Sequence, residues 1–262
     1  MCTLIVLHRC IPGTPLAVGA NRDEFFERPT EGPALRKTDF GAIVAPRDLR
    51  AGGTWLGLNE HGLFAAVTNR PAAEPDPQRR SRGLLVVDAL RARSAEEAIK
   101  KLEDLAIEAY NPFNLLVADR EQVHAITYER APRRIAFGPG PIVIGNADPT
   151  APPTQKLARL KLQAQPSGGT SVETPLEALA AICRSHEGGA DSFRDTCVHA
   201  GRYGTRSSTL LRLGDALEDC ELRHADGAPC VSEYRDYTPL LHELNGSPRE
   251  TQARGAPLET NR

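Results

Sequence analysis

Cys2 directly follows the initiator methionine. A residue this small permits removal of Met1, which would leave a thiol and a free α-amine on one residue. Such an amine has an ordinary pKa of about 7.7–8.0. It can take the thiol proton, directly or through water, and later give a proton to a leaving amine. One residue would then supply both nucleophile and base. The plainer reading makes Cys2 the first buried residue of a strand, because small thiols are commonly buried.

Four other segments could complete that chemistry. Ala20-Asn21-Arg22-Asp23-Glu24-Phe25 ends an apolar run, and a hairpin would return it to the start of the chain. Asp23 could then hold the α-ammonium, and Arg22 could stabilise a thiolate and lower the Cys2 pKa. A solvated charged turn is the alternative. Leu63–Thr68 leads to Asn69-Arg70-Pro71, and Ile142–Ile144 leads to Gly145-Asn146-Ala147-Asp148-Pro149. Two strand-end asparagines, Asn69 and Asn146, could aim donors at one carbonyl oxygen as an oxyanion hole. Ordinary turn chemistry would also explain them. Gly201–Thr209 opens a late strand in which Arg206 could meet an anionic group, or which could simply be bulged.

These positions need strands to hold them. Cys2–Leu7 and Leu16–Asn21, separated by Pro12-Gly13-Thr14-Pro15, read as a hairpin. Ala42–Ala45, Thr54–Leu58 and Leu63–Thr68 follow as short strands. Ser81 caps a helix to Leu90. Ser94–Glu97 is a capping box before a face of Ala98, Ile99, Leu102 and Leu105. Strands are expected at Phe113–Ala118, Val123–Tyr128, Arg134–Phe137 and Ile142–Ile144, then a helix over Thr154–Leu162. Another helix follows Thr174-Pro175-Leu176-Glu177. The last strands are Thr196–Ala200, Thr205–Leu213, Glu221–Arg223 and Val231–Tyr237. Runs of strands joined by short turns point to antiparallel sheets, not a doubly wound fold. Residues 1–244 are expected to form a single domain. The polar stretch 245–262 is expected to be a disordered tail.

Composition narrows the function. The chain has 262 residues and a net charge of −2, which gives no reason to expect nucleic acid as partner. No apolar run approaches the roughly 20 residues of a membrane span. The short apolar start lacks the pattern of a signal peptide, so a cytoplasmic protein is expected. The six cysteines form no CxxC pair, and no cysteine pair is followed by closely spaced histidines, so neither a metal nor a cofactor is expected. The histidines read as structural or exposed. No GxSxG elbow, P-loop or GxGxxG is present.

Met1-Cys2-Thr3, Asn21-Arg22-Asp23-Glu24-Phe25, Arg28-Pro29, Arg47-Asp48, Gly52-Gly53-Thr54-Trp55-Leu56-Gly57 and Thr68-Asn69-Arg70 together resemble the NRDE family. Its eukaryotic members are the transport and Golgi organization 2 proteins. The family is in turn similar to the choloylglycine and penicillin-acylase branch of N-terminal-nucleophile (Ntn) hydrolases. The resemblance implies an α+β fold, a four-layer αββα sandwich of two antiparallel sheets covered by helices. It also implies that Cys2 is the nucleophile, that Asp23 lies near it, and that Asn69 and Asn146 form the oxyanion hole. One departure stands out: the related hydrolases carry an arginine where this chain has Ala20. Strand alternation puts Arg22 on the same face as Ala20. Their late arginine resembles Arg206.

Two functions stay open on this reading. One is a cysteine hydrolase that cleaves a linear amide through a thioester, with a small-molecule amide or acyl ligand. The other is a non-catalytic haem or lipid binding and trafficking protein, as the resemblance implies for eukaryotic members. An Ntn fold without remaining chemistry is a third and plainer outcome.

Overall fold

Residues 2–166, 174–187 and 192–246 are described by a computed structural model. The first apolar runs form the hairpin β1 (Thr3–Ile11) and β2 (Thr14–Phe25). Gly13 at its tip has φ 68°, a left-handed conformation that glycine adopts without a Cβ clash. Two strands of an edge hairpin follow, β3 (Thr30–Thr38) and β4 (Gly41–Asp48), and then β5 (Leu56–Asn59) and β6 (Phe64–Asn69). Helices α1 (Arg82–Ala89) and α2 (Ala95–Glu103) lead to β7 (Phe113–Ala118), β8 (Val123–Tyr128), β9 (Pro132–Phe137) and β10 (Gly140–Ile144). Helices α3 (Gln155–Gln163) and α4 (Pro175–Arg184) precede β11 (His199–Ala200), β12 (Tyr203–Leu213), β13 (Glu221–Ala225), β14 (Arg235–Asp236) and the final helix α5 (Thr238–Gly246).

The strands make two antiparallel sheets. One has the order β10-β1-β2-β12-β13-β14, with β11 added beside β12; the other runs β3-β4-β5-β6-β7-β8-β9. Side-chain alternation assigns each face its own core. Leu4, Val6, Leu16 and Val18 pack between the sheets with Leu56, Leu58, Phe64 and Leu116. Ile5, Leu7 and Ala17 face the other way, onto Leu176, Leu179 and Cys183 of α4. On the far sheet Leu63, Leu115 and Ile126 pack against Leu85, Ile99 and Leu102 of α1 and α2. The result is the expected αββα sandwich, with three stacked apolar layers.

The local signals explain most boundaries. The Thr174 capping box is reciprocal, with Glu177 returning a bond to the Thr174 backbone. At Ser94 the side chain accepts from the Glu97 amide, but Glu97 bonds the Arg93 N–H instead, so that box is half formed. Strand β3 departs from expectation: Gly32 and Pro33 interrupt its pattern, which a sheet edge tolerates. The expected strand Val231–Tyr237 shrinks to Arg235–Asp236, and Thr196–Ala200 shrinks to its last two residues. Residues 245 and 246, assigned to a tail, end α5, whose Leu241 and Leu244 are buried between the sheets. The rest of that tail lies outside the described residues.

The Gly52-Gly53-Thr54-Trp55-Leu56-Gly57 segment owes its composition to close packing. Gly52 has φ 77°. A Cβ on Gly53 would lie 2.2 Å from the Gly83 carbonyl carbon, where Thr54 N–H also bonds the Gly83 carbonyl oxygen at 3.1 Å. Backbone meets backbone here, so neither side can yield cheaply. Gly53→Ala should therefore cost on the order of 1–3 kcal/mol, as overpacking does, and lower the melting temperature by roughly 2–10 °C. Gly138, whose added Cβ would meet nothing within 4 Å, is the control. Equal melting temperatures for Gly53→Ala and Gly138→Ala would contradict the packing argument.

Candidate active site

Strand register brings the candidate residues together. In the β1–β2 ladder Thr3 pairs with Asn21, and in the β1–β10 ladder Leu4 pairs with Ile144. Carried on to Cys2, the same registers set it opposite Arg22 on one side and Asn146 on the other. Residues 2, 22 and 146 thus converge at the end of β1, although they are far apart in the chain.

Arg22 and Asp23 leave β2 on opposite faces. Arg22 shares the face of Ala20, toward the second sheet, and only 6% of its side chain is exposed. Its guanidinium lies 4.3 Å from the Trp55 ring centroid and 3.4 Å from Asp48 Oδ2. Asp48 in turn accepts from Arg28 Nε at 2.6 Å and from the Arg50 and Ala51 amides at 3.0 Å. Burial opposes ionisation of Asp48, but Arg28 and these amides hold its carboxyl below the usual range. Arg22 Nη1 is buried and makes no hydrogen bond among the described residues. Buried donors are rarely left so, which makes this atom a candidate for meeting a ligand or anion. The Arg28, Asp48 and Trp55 motifs are thus one network that fixes Arg22.

Asp23 faces the helices. Its Oδ1 accepts from Thr205 Oγ1 at 2.7 Å, and its carbonyl oxygen accepts from Tyr203 Oη at 3.0 Å. Burial raises its pKa to about 6, against the pull of the Thr205 bond and the Lys156 charge. Asn21, between its strand partners Thr3 and Ser208, is a tether: its Nδ2 donates to the Cys183 and Thr196 carbonyl oxygens, both at 2.9 Å.

The two strand-end asparagines also meet. Asn146 Nδ2 donates to the Asn69 carbonyl oxygen. The turn carrying Asn146 is pinned to the second sheet, since Thr68 Oγ1 and Asn114 Nδ2 both donate to the Gly145 carbonyl oxygen, at 2.7 and 3.1 Å. Asn114 also bonds the Ala147 carbonyl oxygen at 2.8 Å. Asn69 is exposed, at the last position of β6.

Cys2 is half-buried. It lines a cleft of about 470 Å³ together with Asn146, Leu157, Phe193, Lys156 and Arg194. That volume suits a small molecule. The lowered thiol pKa expected from Arg22 and Asp23 is not what the structure gives. Burial pushes the Cys2 thiol up, and the Arg22 charge and the Asp23 backbone amide offset this only in part. Arg206 is not brought to the cleft. It occupies a bulge in β12 between Thr205 and Ser207, and its guanidinium reaches Asp226 at 2.7 Å.

Two cations escaped the sequence reading. Arg82, the first residue of α1, and Lys156, in the first turn of α3, both lie near enough to Cys2 that a thiolate there would favour their charged forms. Lys156 is buried and also acts on Asp23. A helix N-terminus disfavours cations. A basic residue one position after the cap Ser81 and two after the cap Thr154 is therefore the available signal.

Comparison with known proteins agrees with this architecture. Residues 1–218 match the family model "Transport and Golgi organisation 2". The Bos taurus Transport and Golgi organization protein 2 homolog is 31% identical over 236 residues, covering 75% of this chain and 81% of that protein. The Homo sapiens homolog is 29% identical over 231 residues, with the same two coverages. Among solved structures, a Caenorhabditis elegans N-acylethanolamine-hydrolyzing acid amidase ortholog superposes with a TM-score of 0.54 at 11% identity, over 82% of this chain and 95% of that one. A variant of the conjugated bile acid hydrolase from Clostridium perfringens gives 0.51 at 13% identity, over 99% and 100%. At such identities the likeness is one of fold, and the fold is that of the Ntn hydrolases. By its sequence the chain belongs to the Transport and Golgi organisation 2 family.

Proposed function

We propose that this protein is a cysteine Ntn hydrolase that cleaves a linear amide through a thioester at Cys2. The observation that supports the reading is the register that, carried on by one and two residues, runs Cys2 between Arg22 and Asn146, with Cys2 and Asn146 both lining a small-molecule cleft. The two solved hydrolases of the same fold support it by analogy.

Removal of Met1 comes first, because only then is the Cys2 nitrogen basic. The amine takes the thiol proton, which offsets the raised thiol pKa, and the thiolate attacks the substrate carbonyl carbon. The second N–H of Asn146 Nδ2 bonds the developing oxyanion while the first stays on the Asn69 carbonyl oxygen. Asn69 both orients that amide and supplies the neighbouring edge of the hole. Arg22, stacked on Trp55, offers its unpaired Nη1 to the anionic thiolate, and Asp23 holds the α-ammonium. As the C–N bond breaks, the ammonium gives its proton to the leaving amine, and water then hydrolyses the thioester.

The apolar part of the cleft wall, Leu157 and Phe193, favours a second reading, in which an apolar ligand such as haem or an acyl lipid is bound without turnover; the family name speaks of transport and not of a reaction. Substitutions separate the two. Cys2→Ala should abolish hydrolysis of any amide found by screening. Asn146→Ala should lower kcat roughly 100- to 1,000-fold, with little change in KM. Ligand retention that is identical in wild type and Asn146→Ala, without turnover by wild type, would favour the binding protein.

The Asp23 carboxyl sets the pH dependence. It becomes ionised as pH rises through about 6, and only the carboxylate can hold the α-ammonium. Activity should therefore carry, below the limb set by deprotonation of the α-amine itself, a second acid-limb component near that value, and Asp23→Asn should lose this component. Stability runs the other way. A carboxyl with a raised folded pKa favours the fold fully below its unfolded value of 3.8 and loses that contribution as pH rises to about 6. Asp23→Asn should thus gain on wild type in chemical denaturation between those pH values. A constant difference between the two across that range would contradict the assignment.

A further inference from the structure

Past the C-terminal end of α4, four side chains bring their ligand atoms together: His186, Cys197, His199 and Cys230. Their separation along the chain hides them from spacing rules. His186 follows α4, Cys197 and His199 flank Val198 before β12, and Cys230 comes from the turn after β13. All four ligand atoms lie within 4.8 Å of one another.

The geometry points to a structural Zn²⁺ site of Cys₂His₂ type, against the sequence expectation of no metal. Zinc takes thiolate sulfur at about 2.3 Å and imidazole nitrogen at about 2.0–2.1 Å in a tetrahedron, so its ligand atoms sit roughly 3.3–3.8 Å apart. Here Cys197 Sγ lies 3.5 Å from Cys230 Sγ and 3.7 Å from His199 Nε2, and His199 Nε2 lies 3.2 Å from Cys230 Sγ. Three edges of a tetrahedron are therefore already in place. His186, an exposed side chain stacked on His199 at 5.1 Å, closes the fourth corner with a small swing. Its Nδ1 lies 3.7 Å from Asp195 Oδ2. That is the carboxylate partner a metal-bound imidazole usually has, and it leaves Nε2 for the metal. Two thiolates and two imidazoles suit zinc, and hard-oxygen cations are disfavoured. Binding releases one proton from each thiol.

Four protein ligands leave no open position, so the ion would hold structure. What it would hold is the frame of Asp23. The Thr196 carbonyl oxygen accepts from Asn21 Nδ2, and Val198 N–H donates to Thr205 Oγ1 at 2.8 Å, which itself donates to Asp23 Oδ1. The same segment carries Phe193 and Arg194 to the cleft. The four ligands belong to none of the groups around Cys2, so the metal site does not depend on Cys2 being catalytic.

The test is metal content and cobalt spectroscopy on the full chain, purified without chelator. The expected result is about one zinc per chain by elemental mass spectrometry. After exchange, Co²⁺ should give the intense visible bands of tetrahedral cobalt with thiolate charge transfer. Cys230→Ser should lose the charge transfer in proportion to the sulfur removed, and Asp195→Asn should weaken Co²⁺ binding roughly 10- to 100-fold. Folded wild type with no zinc and no tetrahedral cobalt spectrum overturns the proposal. So does a mass two hydrogens low from a Cys197–Cys230 disulfide, or zinc that exchanges to octahedral cobalt. The wild-type spectrum decides the matter even if a variant fails to fold.

Discussion

The pairing of β1 between β2 and β10 is the constraint on which the site depends. A slip of one residue in either ladder would turn every β1 side chain to the opposite face. That slip would exchange the inter-sheet core of Leu4 and Val6 for the helix-facing set of Ile5 and Leu7, so both apolar layers defend the register. Cys2 inherits its place from this defence. It needs no loop to position it, only the continuation of two well-packed ladders by one and two residues. Sites carried on sheet ends in this way are held more firmly than sites on loops.

Around that point the structure accepts local costs. Arg22 is buried with Nη1 unpaired, Asp23 is a buried carboxyl with a raised pKa, and Arg82 and Lys156 are cations at the unfavourable ends of helices. All of them lie around Cys2. The neighbouring network of Arg28, Asp48 and Trp55 makes Arg22 tolerable by stacking one face and pairing one nitrogen. Sequence motifs that look like separate charged turns are in this sense one device, assembled across both sheets.

The sequence made the sandwich legible where pattern and punctuation agree, as in the β1–β2 hairpin and the Thr174 cap. It was silent where tertiary packing overrides pattern. Strand β3 reads as a polar stretch broken by proline because it lies at an edge, and the polar residues 245 and 246 read as the start of a tail although they end α5. For the site, Cys2, Arg22, Asp23, Asn69 and Asn146 could be named from position and resemblance, and the ladders bring them close. Arg206 could not be placed correctly, since nothing in Thr205-Arg206-Ser207 announces the bulge that turns its side chain to Asp226. The thiol pKa departs from expectation for a different reason. Charges are visible in a sequence, but burial, which outweighs them here, is not.

The central claim is that a processed Cys2 accepts an acyl group. Peptide mass spectrometry of the purified chain, before and after incubation with a panel of N-acyl amides, tests it directly. The account predicts that the N-terminal peptide begins at Cys2 and gains the mass of one acyl group there, with the other five cysteines unmodified. A peptide that retains Met1, or acyl groups spread over several cysteines, would contradict it.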